Sequence, residues 1–287
     1  MADISNAFVK QFGTTLETLV QQKGSRLRDA VRLETDLVGE AKFYDQLGAF
    51  TASVKTTRHS DVEYVVDDYA RRMVTPIDVY IADLIDKEDK LKMLLDPTST
   101  TMQALQWAIG RKIDDLIIAA INGTSYTGKA GTTPVVLPAG QKIAVASSGL
   151  TLAKLLATKE KLDAAECDPD EARYIACSAK QITNLLNTTQ IQSADYNTIK
   201  TLVSGQIDTF LGFKFIRTER LPVDGASSRL VMAWIKSGVL LAQANGMTAK
   251  IDTIPQKHYA AQVYASLSCG ATRMEEVKIV EIACLEV

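Results

Sequence analysis

The chain has 287 residues, 46% of them hydrophobic and 23% charged, which is enough apolar material for a large core and excludes a disordered protein. Its 32 basic and 34 acidic residues leave a formal charge of −2, which argues against a dedicated nucleic-acid binder but not against a surface that merely faces nucleic acid. No apolar run reaches the roughly 18 residues that a membrane span needs, and no basic patch followed by an apolar core suggests a secretory signal.

Residues 1–38 read as an N-terminal arm. Leu16, Leu19, Val20, Leu27, Val31 and Leu33 fall broadly at helical spacing, interrupted by Gly24. A helix with so many polar positions needs a partner surface to be stable. Residues 39–85 change character. GEAKFYDQLGAF and MVTPIDVYIADLID are rich in aromatic and β-branched residues and predict two strand arms. A long polar excursion lies between them, and a segment that long which cannot bury itself usually meets another molecule.

DKEDKLKMLL (86–95) predicts a short charged helix, with its carboxylates salt-bridged to the interleaved lysines. The strongest helix signal follows, over 97–122. Asp96 suits the N-cap, Pro97 suits the first helical position, and Asn122-Gly123 closes the helix. Met102, Leu105, Ile109, Ile113, Leu116, Ile117 and Ala120 share one face. At 1.5 Å per residue such a helix is roughly 40 Å long, a spine for a whole domain. Residues 124–150 read as a Gly/Thr/Ser/Pro-rich loop with short strands. Beyond it come an amphipathic helix in TLAKLLATKEKLDAAE, a strand at Tyr174–Cys177, a helix through Leu186 and a polar loop. SGQIDTFLGFKFIRTERLP (204–222) then sets Gly205 and Gly212 around a short apolar run. Both glycines are expected at tight turns where a Cβ would clash, with Phe213 and Phe215 buried in the strand that follows. LVMAWI predicts a buried strand, KSGVLLAQA a short helix, and the last segments predict strands. The class is α+β.

The motifs that suggest chemistry are incomplete. GTSYTGKA (123–130) approaches a phosphate-binding loop, but Ala130 stands where a magnesium-binding hydroxyl is needed, and the motif ends a helix instead of opening one. The two histidines, His59 and His258, have no nucleophile motif beside them and read as surface residues. The four cysteines, Cys167, Cys177, Cys269 and Cys284, lack C-x-x-C spacing and are expected to be buried free thiols. No catalytic residue, cofactor or metal site is therefore expected. Arg26, Arg28, Arg32, Lys55, Arg58, Arg71, Arg72, Arg217 and Arg220 are expected to contact neighbouring subunits. An arm, a long excursion and a spine helix suit a protein that touches copies of itself.

In order and spacing, these features resemble the major capsid protein of tailed bacteriophages, with the Hong Kong 97-like fold. AKFYDQLG and ARRMVTPIDVYIADLIDKEDKLKMLLDP are similar to the roots of that family's extended loop. MQALQWAIGRKIDDLIIAAING resembles its spine helix, with Asp114 on the polar side. SGQIDTFLGFKFIRTERLP and RLVMAWIKSGVLLAQ resemble segments of its axial domain.

The resemblance implies an N-terminal arm at 1–38, an extended β-hairpin loop at 39–85 and a peripheral domain at 86–150. An axial domain at 151–245 and peripheral-domain strands at 246–287 complete the division. It implies a structural protein that self-assembles as hexamers and pentamers into an icosahedral shell around double-stranded DNA, located in the virion and assembled in the host cytoplasm. A compartment shell of the encapsulin type, enclosing a cargo enzyme, is the alternative. The short stretch before the loop leaves little room for a fused scaffolding segment, so a separate scaffolding protein is expected, with a portal protein and decoration proteins as further partners. Lys55 lies where some members cross-link a loop lysine, but no matching acceptor or catalytic acid is identified, so that chemistry is not carried over.

Overall fold

In a computed structural model of the chain, the longest element is helix α1 (Thr98–Asn122). The structure describes residues 21–35, 37–59, 61–62, 64–66, 69–86, 88–89, 98–187, 209–224, 227–244 and 246–286. Leu105, Ile109, Ile113, Ile117 and Ile121 repeat every four residues on α1 and are buried in one stripe. That stripe packs on the central strand of the first sheet, β15 (Ala260–Arg273), whose Val263, Ala265, Leu267 and Cys269 point at the helix with the period of two that a strand imposes. One side of β15 pairs with β4 (Ile77–Ile85). The other pairs in succession with β13 (Val239–Gln243) and β14 (Thr248–Ile254), and β1 (Arg32–Glu34) adds in parallel to β13.

The second sheet runs in the order β7 (Lys142–Ile143), β16 (Ile279–Leu285), β12 (Ser228–Ile235), β8 (Arg173–Cys177), β10 (Phe213–Arg217) and β9 (Thr209–Phe210), with β11 (Val223–Asp224) on β12. Helices α2 (Leu152–Ala164) and α3 (Ala179–Leu186) contribute Leu155, Leu162 and Leu185 to its core. Thr151 caps α2, and Ser178 with Gln181 forms a capping box on α3. Strand β12 belongs to both cores. Met232 and Trp234 face the spine helix, while Val231, Ala233 and Ile235 face α2 and α3. This two-sided burial is why LVMAWI reads as an unbroken apolar run.

The third sheet, β2 (Lys42–Leu47), β3 (Tyr69–Val74), β5 (Ser125–Thr127) and β6 (Thr133–Val135), is the root of the extended loop. β2 and β3 pair from Lys42↔Val74 to Leu47↔Tyr69, and the described residues between them, 48–59, 61–62 and 64–66, are exposed. β5 and β6 follow directly from α1, so the loop is rooted at the C-terminal end of the spine.

Several expectations change. The described part of the arm, 21–35, holds no α-helix; a 3-10 turn (Arg28–Ala30) and β1 take its place. Backbone bonds to β13 and to an α1 carboxylate fix it instead. KSGVLLAQA is a 3-10 turn (Lys236–Gly238) and then strand β13, whose five residues are buried; a short apolar run does not distinguish helix from strand by period. A division at 245/246 does not follow the hydrogen bonding, because β13 pairs with β15 and β16 pairs with β12. β4, expected within the loop, belongs to the first sheet. Cys177, Cys269 and Cys284 are buried free thiols, but Cys167 is half-buried. The proposed N-cap Asp96, Pro97, Gly205, most of 86–95 and the polar loop before Thr209 lie outside the described residues.

At Gly212 the reason for glycine differs from the expectation. A Cβ there would meet nothing within 4 Å. What excludes other residues is the backbone: Leu211 and Gly212 have φ of 54° and 86°, the two-residue turn that joins Phe210 to Phe213 across a hairpin. Phe213 is fully buried and Phe215 half-buried in the second core, as the alternation predicts.

Candidate subunit-contact site

The arm crosses the spine helix at a built junction. Gly110 and Asp114 lie four residues apart on α1, hence on one face. A Cβ on Gly110 would sit 2.6 Å from the backbone of Gly24 and Ser25, so only glycine admits the arm here. One turn on, the Asp114 carboxylate is fully buried. It accepts from Gln22 Nε2 (2.5 Å), Ser25 Oγ (2.5 Å) and the Arg26 and Leu27 amides (3.1 Å each). A carboxylate on the amides that open a 3-10 turn matches the exposed positive ends of those N–H dipoles. By helix period Asp114 falls on the polar side of α1. It is buried because backbone roughly 90 residues away in sequence covers that side, which helix period cannot reveal.

The nine basic residues separate into two groups. Seven are bonded within the chain, six through their side chains and Arg217 through its backbone. Arg26 donates to the Arg217 carbonyl (2.6 Å) and Arg28 to Gln243 (3.0 Å), while Arg32 pairs with Glu34 (2.6 Å). Arg71 pairs across the hairpin with Asp45 (2.5 Å). Arg220 grips Asp115 through two bonds of 2.6 and 2.5 Å, which raise its already high pKa. Arg217 takes part through its carbonyl. Arg72 is only 8% exposed and donates to the Met274 carbonyl (2.9 Å) and Glu276 (2.7 Å). The remaining two, Lys55 and Arg58, stand on the exposed loop.

Glu276 also accepts from Arg273, which no local sequence pattern marks. Arg273 is fully buried, and burial lowers its pKa. Its guanidinium donates to the carbonyls of Ile121 (3.0 Å), Gly123 (2.8 Å) and Val135 (2.8 Å). It thereby satisfies the orphan acceptors where α1 ends and offsets the negative end of the helix dipole. The chain Arg72–Glu276–Arg273 ties the loop root to the end of the spine.

The described residues of the loop leave apolar side chains in solvent. Phe50, Val54, Val62, Tyr64, Val65 and Val66 are all exposed, Val54 at 86%, Tyr64 at 92% and Val66 at 91%. So dense a set of exposed apolar side chains marks an interaction surface. The tempting motifs resolve as structure. Gly123–Ala130 passes through β5 into a turn and has no helix N-terminus after it; His59 and His258 are exposed. Burial raises the thiols of Cys177 to about 12 and of Cys269 and Cys284 to about 11, the opposite of what a nucleophile needs.

A long helix on a sheet, a second lobe and a hairpin with an exposed, apolar loop define the Hong Kong 97-like fold, and the comparisons agree. Its neighbours among solved structures include the capsid of cyanophage P-SCSP1u (TM-score 0.79, 14% identity, 100% of this chain and 96% of that one). The capsid of cyanophage Pam1 matches similarly (0.75, 14%, 99% and 99%), as does the head of Helicobacter pylori bacteriophage KHP40 (0.75, 11%, 98% and 98%). No curated protein sequence matches. The family model for phage capsid protein matches residues 4–286, and the chain belongs to that family. Its fold and family make it a structural component of a phage shell.

Proposed function

We propose that the chain assembles as hexamers and pentamers into an icosahedral shell around double-stranded DNA, contacting the DNA without sequence preference. The observation that carries this reading is the extended loop. Its described apolar side chains are exposed, and a second copy would cover them. Heterologous contacts of that kind generate closed rings. A structural role is consistent with the low-reactivity thiols and with the engagement of most candidate cations inside the fold. Lys55 and Arg58 remain the best-placed candidate subunit contacts. A separate scaffolding protein, a portal and decoration proteins would complete assembly in the host cytoplasm. The test is electron microscopy of purified particles with assay of nuclease-protected nucleic acid. Closed shells holding double-stranded DNA are expected; an inert monomer, or shells filled only with protein cargo, would overturn the reading.

A further inference from the structure

Asn122 and Gly123 close the spine helix, and an Asn-Gly pair is also the sequence most prone to cyclise on itself. The Gly123 nitrogen attacks Cγ of the Asn122 side chain. A C–N bond forms to give a succinimide ring, and the Cγ–Nδ2 bond breaks. Nδ2 leaves as ammonia, taking up the proton that the Gly123 amide loses. Water then opens the ring at either carbonyl, leaving aspartate or isoaspartate. Glycine favours the reaction because no Cβ hinders the attacking nitrogen.

The fold closes the backbone half of this reaction. Asn122 is the last residue of α1, and helical ψ turns the next nitrogen away from the side chain. The Gly123 amide donates to the Ala119 carbonyl (2.8 Å), which ties up the hydrogen that must be lost. The carbonyls on either side, of Ile121 (3.0 Å) and Gly123 (2.8 Å), are both held by Nη1 of the buried Arg273, whose Nη2 holds Val135 (2.8 Å). The side-chain half is open. Asn122 is half-buried and borders a groove of about 310 Å³ that it shares with Asp115 and Arg220. A water takes roughly 30 Å³, so the groove has room for the one that opens the ring.

We propose that Asn122-Gly123 is a modification site gated by the last turn of the spine, with Arg273 as its latch. The pair stays an amide while the turn is closed and becomes aspartate or isoaspartate when the turn opens. The product cannot close as before. Its carboxylate stands at the negative end of the α1 dipole and beside Asp115, whose partner Arg220 is already bonded to it twice. Isoaspartate also lengthens the backbone by a methylene. The site thus records each opening of the joint between spine and loop root as a permanent chemical mark.

Peptide mapping of the full chain, with isoaspartate counted by enzymatic methylation, reads that mark. A second Asn-Gly pair, Asn245-Gly246, calibrates it, since both pairs should convert at similar rates in urea. In the native chain, conversion at Asn122 should be at least about tenfold slower than in urea, in step with the free energy of local opening. Hydrogen exchange at the Gly123 amide of the wild-type chain should show the same protection. Arg273→Met should raise native conversion at Asn122 by about tenfold or more. Arg273→Lys, which keeps a cation without the planar fork, should raise it too. Asp114→Ala costs comparable stability at the arm crossing and should leave Asn122 protected, while Asn122→Gln should remove the reaction. Native wild-type chain that converts at the urea rate would show that there is no gate. Arg273 variants that stay protected, or an Asp114→Ala chain that opens the site equally, would show that Arg273 is not the latch.

Discussion

The arm crossing and the extended loop are opposite solutions to one difficulty. Each is a length of chain with little core of its own. At the crossing the chain supplies its own partner: Gly110 opens the space, Asp114 satisfies the amides, and Leu27, Ala30 and Val31 are buried against the spine. In the loop the root is held by the ladder of β2 with β3 and by Arg72 on Glu276, and the other described residues stay exposed. Residues completed within the chain should govern the stability of a single subunit. Residues left incomplete should govern association and little else.

The largest effect on the stability of one chain should come from Arg273→Met. The spine would lose the donor to the Ile121, Gly123 and Val135 carbonyls, and Glu276 would keep only Arg72. Breaking a buried, hydrogen-bonded charge network costs about 3–5 kcal/mol, read as a fall in the urea midpoint. Asp114→Ala follows. It leaves the Arg26 and Leu27 amides without an acceptor, at about 3 kcal/mol in all. Proteolysis should then cut near residue 24 before the rest of the fold opens. If Asp114→Ala left both stability and cleavage unchanged, the crossing would not be the anchor of the arm.

Gly212→Ala should be milder, about 1–2 kcal/mol by equilibrium unfolding, because only the left-handed backbone opposes it and space for the methyl is open. Gly212→Asn should cost less than Gly212→Ala, since asparagine tolerates that conformation. Equal costs would point to a packing clash that the turn geometry does not contain.

What could be read from the sequence follows the same division. Local pattern is enough for the spine and for the alternation of Phe213 and Phe215 by period, for β12 as an unbroken apolar run, and for β2 by its aromatic and β-branched composition; it does not separate β3 from the polar excursion or assign β4 to the first sheet. Asp114 and Arg273 could not be recognised. Their partners lie 87 to 152 residues away, and a charged residue beside apolar ones looks like the edge of a polar face. A usable signal existed in Gly110 and Asp114 at i, i+4, a glycine inside a strong helix being costly without a reason. The pattern of β13 was ambiguous on its own, and only its pairing with β1 and β15 decides it. Residue type alone marks the nine cations as subunit contacts but has no geometry, and it does not show that six of their side chains also have partners within the chain.

The smallest effect on stability, and the sharpest use of the contrast, should come from the loop. Val62→Ser, Tyr64→Ser and Val66→Ser together remove three side chains that are 75%, 92% and 91% exposed. Exposed positions away from caps, cores and networks shift stability within about 0.5 kcal/mol each, so melting of the single chain should hardly move. Association should fail nonetheless, because these side chains have little cover within the chain to lose and would lose the contacts made with another copy. Sedimentation and calorimetry on the same preparation separate the two quantities. A lowered melting temperature with intact assembly would mean that the loop folds back on its own subunit, and the division between completed and incomplete segments would have to be redrawn.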